Sequence, residues 1–162
     1  MAVSEIIGAA VGVILLVIVA YVVVGSTLFA AETMANAQKD LTFQQESRIR
    51  TAFTLTDQFN GTDQSYIVYA NITNTGTEII SDFKHMDVIV YDKEFGGYEF
   101  CRYDEAGGTQ GTWDIENHYS DFIHPNELDP GERYHIRIVI RGTQPKWMQI
   151  TTANGVYASG FL

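Results

Sequence analysis

From Ile6 to Ala31 the chain carries no charge, reading I-I-G-A-A-V-G-V-I-L-L-V-I-V-A-Y-V-V-V-G-S-T-L-F-A-A between Glu5 and Glu32. A helix rises about 1.5 Å per residue, so roughly 20 residues cross the ~30 Å hydrocarbon core of a bilayer. This run does so with residues to spare. Ser4 is placed to cap such a helix, and Glu5 suits its first turn. A secretory signal would bring a basic leader, an apolar stretch of about 7–15 residues and a small-residue cleavage site. Nothing basic precedes this run, and it is about twice that length. The segment is therefore expected to be retained as an anchor. The first proline is Pro125, and the stretch E-T-M-A-N-A-Q-K-D-L-T-F-Q-Q-E-S after the run is rich in helix formers. One helix over about 4–47 follows, roughly 65 Å long, half in lipid and half a stalk.

Beyond that helix the period changes from helical to two. Ile49, Thr51, Phe53 and Leu55 alternate, and so do Tyr66, Val68, Ala70 and Ile72. Further β-rich runs cover 85–91, 98–103, 133–141, 147–152 and 156–161. Gly96-Gly97, Gly107-Gly108, Asp129-Pro130-Gly131 and Asn154-Gly155 punctuate them. About seven short strands with turn chemistry between them predict an antiparallel immunoglobulin-like β-sandwich. The fold class is thus α+β, with an anchor and stalk helix over 1–47 and a sandwich over 48–162. The segment 105–125 is the least regular and is expected to be a long loop or a ragged edge strand.

Charge narrows the set of partners. The formal net charge is −10, and all of it except Glu5 lies past the apolar run, which disfavours nucleic acid or an anionic surface. The single cysteine, Cys101, excludes an internal disulfide and a cysteine metal cluster, and is expected to be a small buried core residue. His85, His118, His124 and His135 show no metal-ligand spacing, and no nucleophile elbow or phosphate loop occurs. Asp82, Asp87, Asp92 and Glu94 lack the spacing of a calcium loop. An enzyme, a metal site and a cofactor are all disfavoured.

What remains are contact features. Gly8 and Gly12, with Ala9, give one helix face small residues that another helix can approach closely. Glu5 at the membrane end of the run would be costly if buried alone, so it reaches the headgroups or pairs with a cation. Arg133, His135, Arg137 and Arg141 share one phase of the strand R-Y-H-I-R-I-V-I-R, a basic row in an acidic domain. Such a row either receives an acidic partner or pairs with acids on the next strand. Asn60 and Asn71 head glycosylation sequons, with Asn60 in the more turn-like setting. Trp113, Tyr119 and Phe122 either line a pocket or pack a loop on the sandwich edge.

The apolar helix, the strand pair A-N-I-T-N-T-G-T-E-I-I-S-D-F, the turn L-D-P-G-E-R and the closing I-T-T-A-N-G-V-Y-A-S-G-F occur in that order. Together they resemble the archaellum accessory protein F family, one of the F and G pair attributed to the stator of the archaeal flagellum. The resemblance spans nearly the whole chain. It implies a type IV pilin-like membrane helix, a sandwich outside the cytoplasmic membrane and binding to the S-layer protein, with accessory protein G and the archaellins as further partners. No S-layer-binding residue carries over, because that contact has no short motif. Lys39, Arg48 and Arg50 all follow the apolar run, and the positive-inside rule alone would keep the domain in the cytoplasm. Lys39 is already several residues past Glu32, whereas the sequons and the acidity favour the exterior. The competing reading is a filament subunit, an archaellin or another pilin-like protein that polymerises through the helix. Such subunits are made with a basic leader, which residues 1–5 lack.

Overall fold

The computed structural model describes residues 2–61, 66–119, 121 and 123–162. The chain divides into two compact units, residues 1–44 and 45–162. The first is helical throughout its described part. It belongs to α1 (Ala2–Arg50), whose last turns fall in the second unit. Among the described residues α1 is the one helix long and apolar enough to cross a membrane, with a mean hydropathy of 3.0 over an 18-residue stretch of it. Ser26 and Thr27 donate to the carbonyls of Val23 and Val24, and Thr33 to that of Phe29, so these three hydroxyls are satisfied within the helix. The helix starts at Ala2, which puts the expected cap Ser4 inside it; the Ser4 side chain lies outside the described residues.

The other end of α1 corrects the sequence reading. The alternation at Ile49 and Thr51 predicts strand from Arg48, yet residues 48–50 stay helical and β1 (Phe53–Asn60) begins later. Helix ends leave carbonyls without partners. Here the turn after Asn74 supplies donors: the Arg50 carbonyl accepts the N–H of Thr77 at 2.8 Å and of Glu78 at 3.2 Å. The Arg50 guanidinium lies 3.5 Å from the Glu78 carboxylate. Gly76 sits so close to the Arg50 carbonyl and the Ala52 amide that a Cβ there would overlap both. Ile49, left outside the alternation, is 83% exposed.

Among its described residues the second unit has eight strands in the order β1-β2-β6-β5-β4-β3-β7-β8. After β1 come β2 (Ile67–Asn74), β3 (Asp87–Asp92) and β4 (Gly97–Tyr103), followed by β5 (Thr112–His118) and β6 (Arg133–Val139), then β7 (Pro145–Thr151) and β8 (Tyr157–Phe161). Within each layer, β1-β2-β6-β5 and β4-β3-β7-β8, every pairing is antiparallel. A short parallel contact, Arg102 with Thr112 and Tyr103 with Trp113, joins the layers at one side. On the other side Gln58 of β1 lies against Gly160 of β8, where any Cβ would overlap its amide. The result is the expected sandwich, nearly closed.

The segment 105–125, expected to be a long loop or a ragged edge strand, instead contains β5, an interior strand between β6 and β4. Its Trp113 is fully buried. The indole meets Tyr103 at 4.9 Å and Phe83 at 6.4 Å between ring centroids, both edge-on. Around these rings pack Val68, Ala70 and Ile72 from β2 and Val88 and Val90 from β3, with Ile136 and Ile138 from β6 and Met148 and Ile150 from β7. These are the inward positions of period-two strands. Cys101 is fully buried among them, and its burial, reinforced by the nearby Glu99 carboxylate, pushes the thiol up to about 12.

The turn L-D-P-G-E-R holds this core together through buried polar groups. Asn74 donates to the carbonyls of Glu78 and Leu128, each at 2.8 Å, and the Asp129 N–H donates to Glu132 at 3.0 Å. The Asp129 carboxylate, almost fully buried, accepts the backbone N–H of His124 at 3.1 Å and meets its Nδ1 at 3.0 Å. The hydrogen bond to Asp129, then its charge, raises the His124 pKa above the ordinary imidazole value. A raised folded-state pKa stabilises the protonated form, so this tie is complete below about pH 6.5 and is lost as pH rises through the raised value. NMR titration is expected to place the His124 midpoint above the ordinary value, and Asp129→Asn to bring it down.

Candidate functional site

The outward face of the β1-β2-β6-β5 layer carries the basic row. Tyr69, Arg137 and Asp114 lie in register across β2, β6 and β5, and so do Asn71, His135 and Asn117. Arg137 Nε donates to Asp114 at 3.1 Å, and its Nη1 lies 3.8 Å from Glu116. The Asp114 hydrogen bond holds the guanidinium still more firmly protonated. His135 Nδ1 is 2.7 Å from Asn71 Oδ1, and its Nε2 is 3.7 Å from Glu116. The imidazole lies parallel to the Tyr69 ring at 5.4 Å, and the Tyr119 ring sits edge-on at 6.1 Å. Arg133 donates to Thr73 Oγ1 at 3.2 Å and is otherwise exposed. Arg141 stands apart from the other three: its backbone N–H donates to Glu99 at 2.8 Å, and its Nε lies 3.5 Å from the same carboxylate.

Most of this row is therefore engaged by acids and amides of the domain's own strands. Asp114 is only 4% exposed, and Gly107 covers it, with φ +62° and no room for a Cβ beside the Asp114–Arg137 pair. Removing the cation leaves a buried carboxylate alone, which costs about 3–5 kcal/mol for a fully buried pair. Arg137 is partly solvated, so Arg137→Ala is expected to lower stability by about 2 kcal/mol in urea unfolding. Arg137→Lys is expected to recover only part of that loss, because a point charge does not reproduce the fork.

The sequons fall in different surroundings. Asn71 is buried in β2: its Nδ2 donates to Asp57 at 2.8 Å, and its Oδ1 meets His135. A glycan on that nitrogen would displace Asp57, which holds a left-handed backbone (φ 53°) at the β1 bulge. The Asn60 side chain and the Thr62 of its sequon lie outside the described residues.

The opposite layer, β4-β3-β7-β8, presents a different surface. Tyr98 of β4 pairs across strands with Tyr91 of β3, Tyr91 with Trp147 of β7, and Trp147 with Phe161 of β8. All four point outward and form one continuous aromatic row. Tyr98 is 69% exposed and Phe161 82%. In the next row Phe100 and Ile89 are paired, with Phe100 also exposed. No reading of the sequence above singled out these residues. Their signal was present, because G-Y-E-F-C-R-Y and V-I-V-Y are apolar in both phases, and a sandwich buries only one.

The remaining residues are placed as follows. Trp113 is a core residue, Tyr119 is exposed and leans on His135, and Phe122 lies outside the described residues, so the three do not form a described pocket. Asp92 is buried and caps the Gln144 and Phe95 N–H groups, while Glu94 accepts from Thr143 and Asp82 meets His85. Glu5, Gly8, Ala9 and Gly12 are exposed on α1, with open space beside both glycines.

A long apolar N-terminal helix followed by a nearly closed eight-stranded sandwich defines the class. No protein-family model matches the sequence, and none of the curated proteins matches it. Solved structures share the fold. The archaellum periplasmic stator protein FlaG from Sulfolobus acidocaldarius matches with a TM-score of 0.54 at 22% identity, over 69% of this chain and 99% of that one. A chain of the archaellum periplasmic stator protein complex of FlaF and FlaG from the same organism matches with a TM-score of 0.51, also at 22% identity, over 68% of this chain and 87% of that one.

Proposed function

We propose that this chain is a non-enzymatic component of an archaellum. In this reading α1 tethers it in the cytoplasmic membrane, and the sandwich stands outside the cell and holds the motor to the S-layer. The observation that carries the reading is the likeness of the sandwich to FlaG over 99% of that protein's chain, behind a helix of membrane-crossing length. The order of helix, strand pair and L-D-P-G-E-R turn along the sequence adds to it. Rotation of a filament does work only against a fixed frame, and a single-pass protein that grips a rigid outer layer supplies one.

The likeness is to FlaG and to a chain of the FlaF–FlaG complex, so it favours a stator-pair protein broadly and not accessory protein F in particular. The partners proposed are the other member of that pair, the S-layer protein and the archaellins. Self-association runs along the Gly8, Ala9 and Gly12 face, with Glu5 at the headgroups. Arg133, the least engaged cation of the basic row, is the residue of that row best placed to meet an acidic partner.

Tagged full-length chain, purified from detergent-solubilised native envelopes, is expected to bring down stator or S-layer protein. Recovery of neither, with the chain intact and folded, contradicts the reading. Filaments assembled from this polypeptide alone would instead make it a structural subunit.

A further inference from the structure

The aromatic row on the β4-β3-β7-β8 layer is not used by anything above. Its rings do not lie flat. Tyr91 and Tyr98 are inclined by 55° with centroids 5.2 Å apart, and Tyr98 and Trp147 meet at 86° and 6.1 Å. With Phe161 they wall an open trough of about 340 Å³, inside the range of about 300–1,000 Å³ usual for small-ligand sites. No charged residue lines the trough, although the chain carries a net charge of −10. The Tyr91 and Tyr98 hydroxyls and the Trp147 indole N–H make no hydrogen bond to the described residues, which leaves polar groups free at the rim of apolar walls.

We propose that this trough binds an uncharged glycan, with sugar rings set against the faces of Tyr98, Trp147 and Phe161. A sugar ring has an apolar C–H face and a hydroxyl edge, so it meets both the ring faces and the free polar groups at once. Neutrality suits the occupant, since an acidic domain repels anions, and the hydroxyls and indole N–H call for a hydrogen-bonding edge that an ammonium set on the ring faces would not supply. A second copy of the chain fits less well. Two concave troughs set face to face enclose a void, and packed interfaces do not leave such gaps. The inference stands independently of the archaellum reading, because any cell-surface role leaves the trough as it is.

Emission from Trp147 supplies the readout, since the other tryptophan, Trp113, is fully buried. The full chain is kept in a phosphocholine detergent, which has no sugar headgroup, and titrated with maltotriose, cellotriose and chitotriose. At least one is expected to give a saturable change with a Kd of about millimolar. Tyr98→Ala and Phe161→Ala are each expected to weaken binding about tenfold. Both side chains are mostly exposed, so the urea midpoint should not move. Titrations with all three sugars that match those of the Tyr98→Ala/Phe161→Ala double variant overturn the proposal. So does a reversible dimer that the same double variant dissociates, which would assign the trough to a second copy.

Discussion

Trp113→Ala is expected to destabilise the sandwich by about 3–5 kcal/mol, a large part of the 5–15 kcal/mol that holds a domain of this kind together. The indole is the largest fully buried side chain, and it sits where β5 meets the parallel seam with β4. Two aromatic neighbours, Phe83 and Tyr103, and the inward residues of β6 surround it, so the cavity left by alanine has few ways to collapse. The indole N–H, however, is buried without a partner among the described residues. A desolvated donor costs about 1–3 kcal/mol, so Trp113→Phe removes that penalty while it keeps most of the volume. Its net change is expected to stay below about 1.5 kcal/mol. Urea unfolding of both variants checks the contrast. Equal losses would show that the nitrogen, not the ring volume, matters at this position.

The second large effect belongs to α1. On insertion scales an arginine at the centre of a membrane helix costs about 2.5–3.5 kcal/mol. Leu16→Arg combined with Val19→Arg therefore opposes insertion by about 5–7 kcal/mol. The chain is expected to leave the carbonate-washed membrane fraction while residues 45–162 keep their near-ultraviolet circular dichroism, since that unit has its own core. Retention in washed membranes would show that something other than this helix holds the protein there.

The sequence made the helix and most strands legible for simple reasons. A run without charge admits few structures, and a period of two at 66–72, 133–141 and 147–152 fixes which side chains face inward. β5 was not legible as an interior strand because its stability comes from a distance. Asp114 reads as a loop residue until Arg137 of β6 pairs with it and the Gly107 turn covers it. The end of α1 was misplaced for a similar reason. Ile49 and Phe53 share a phase, but what keeps residues 48–50 helical is a pair of donors from the 75–78 turn.

The surfaces divide in the same way. The basic row was visible within one strand, whereas its neutralisation lay in β5 and, for Arg141, in β4. The aromatic row was invisible because its members, at positions 91, 98, 147 and 161, become neighbours only through the register of four strands. Alternation assigns a side chain to a face, but only pairing says what stands beside it.

Swimming of the cells that make this chain tests the anchored-archaellum reading. Deletion of its coding sequence is expected to abolish or severely slow swimming. The full chain should restore it, and a chain without residues 2–31 should not. Normal swimming after deletion, or full rescue by the chain without its helix, would contradict a membrane-tethered role in the motor.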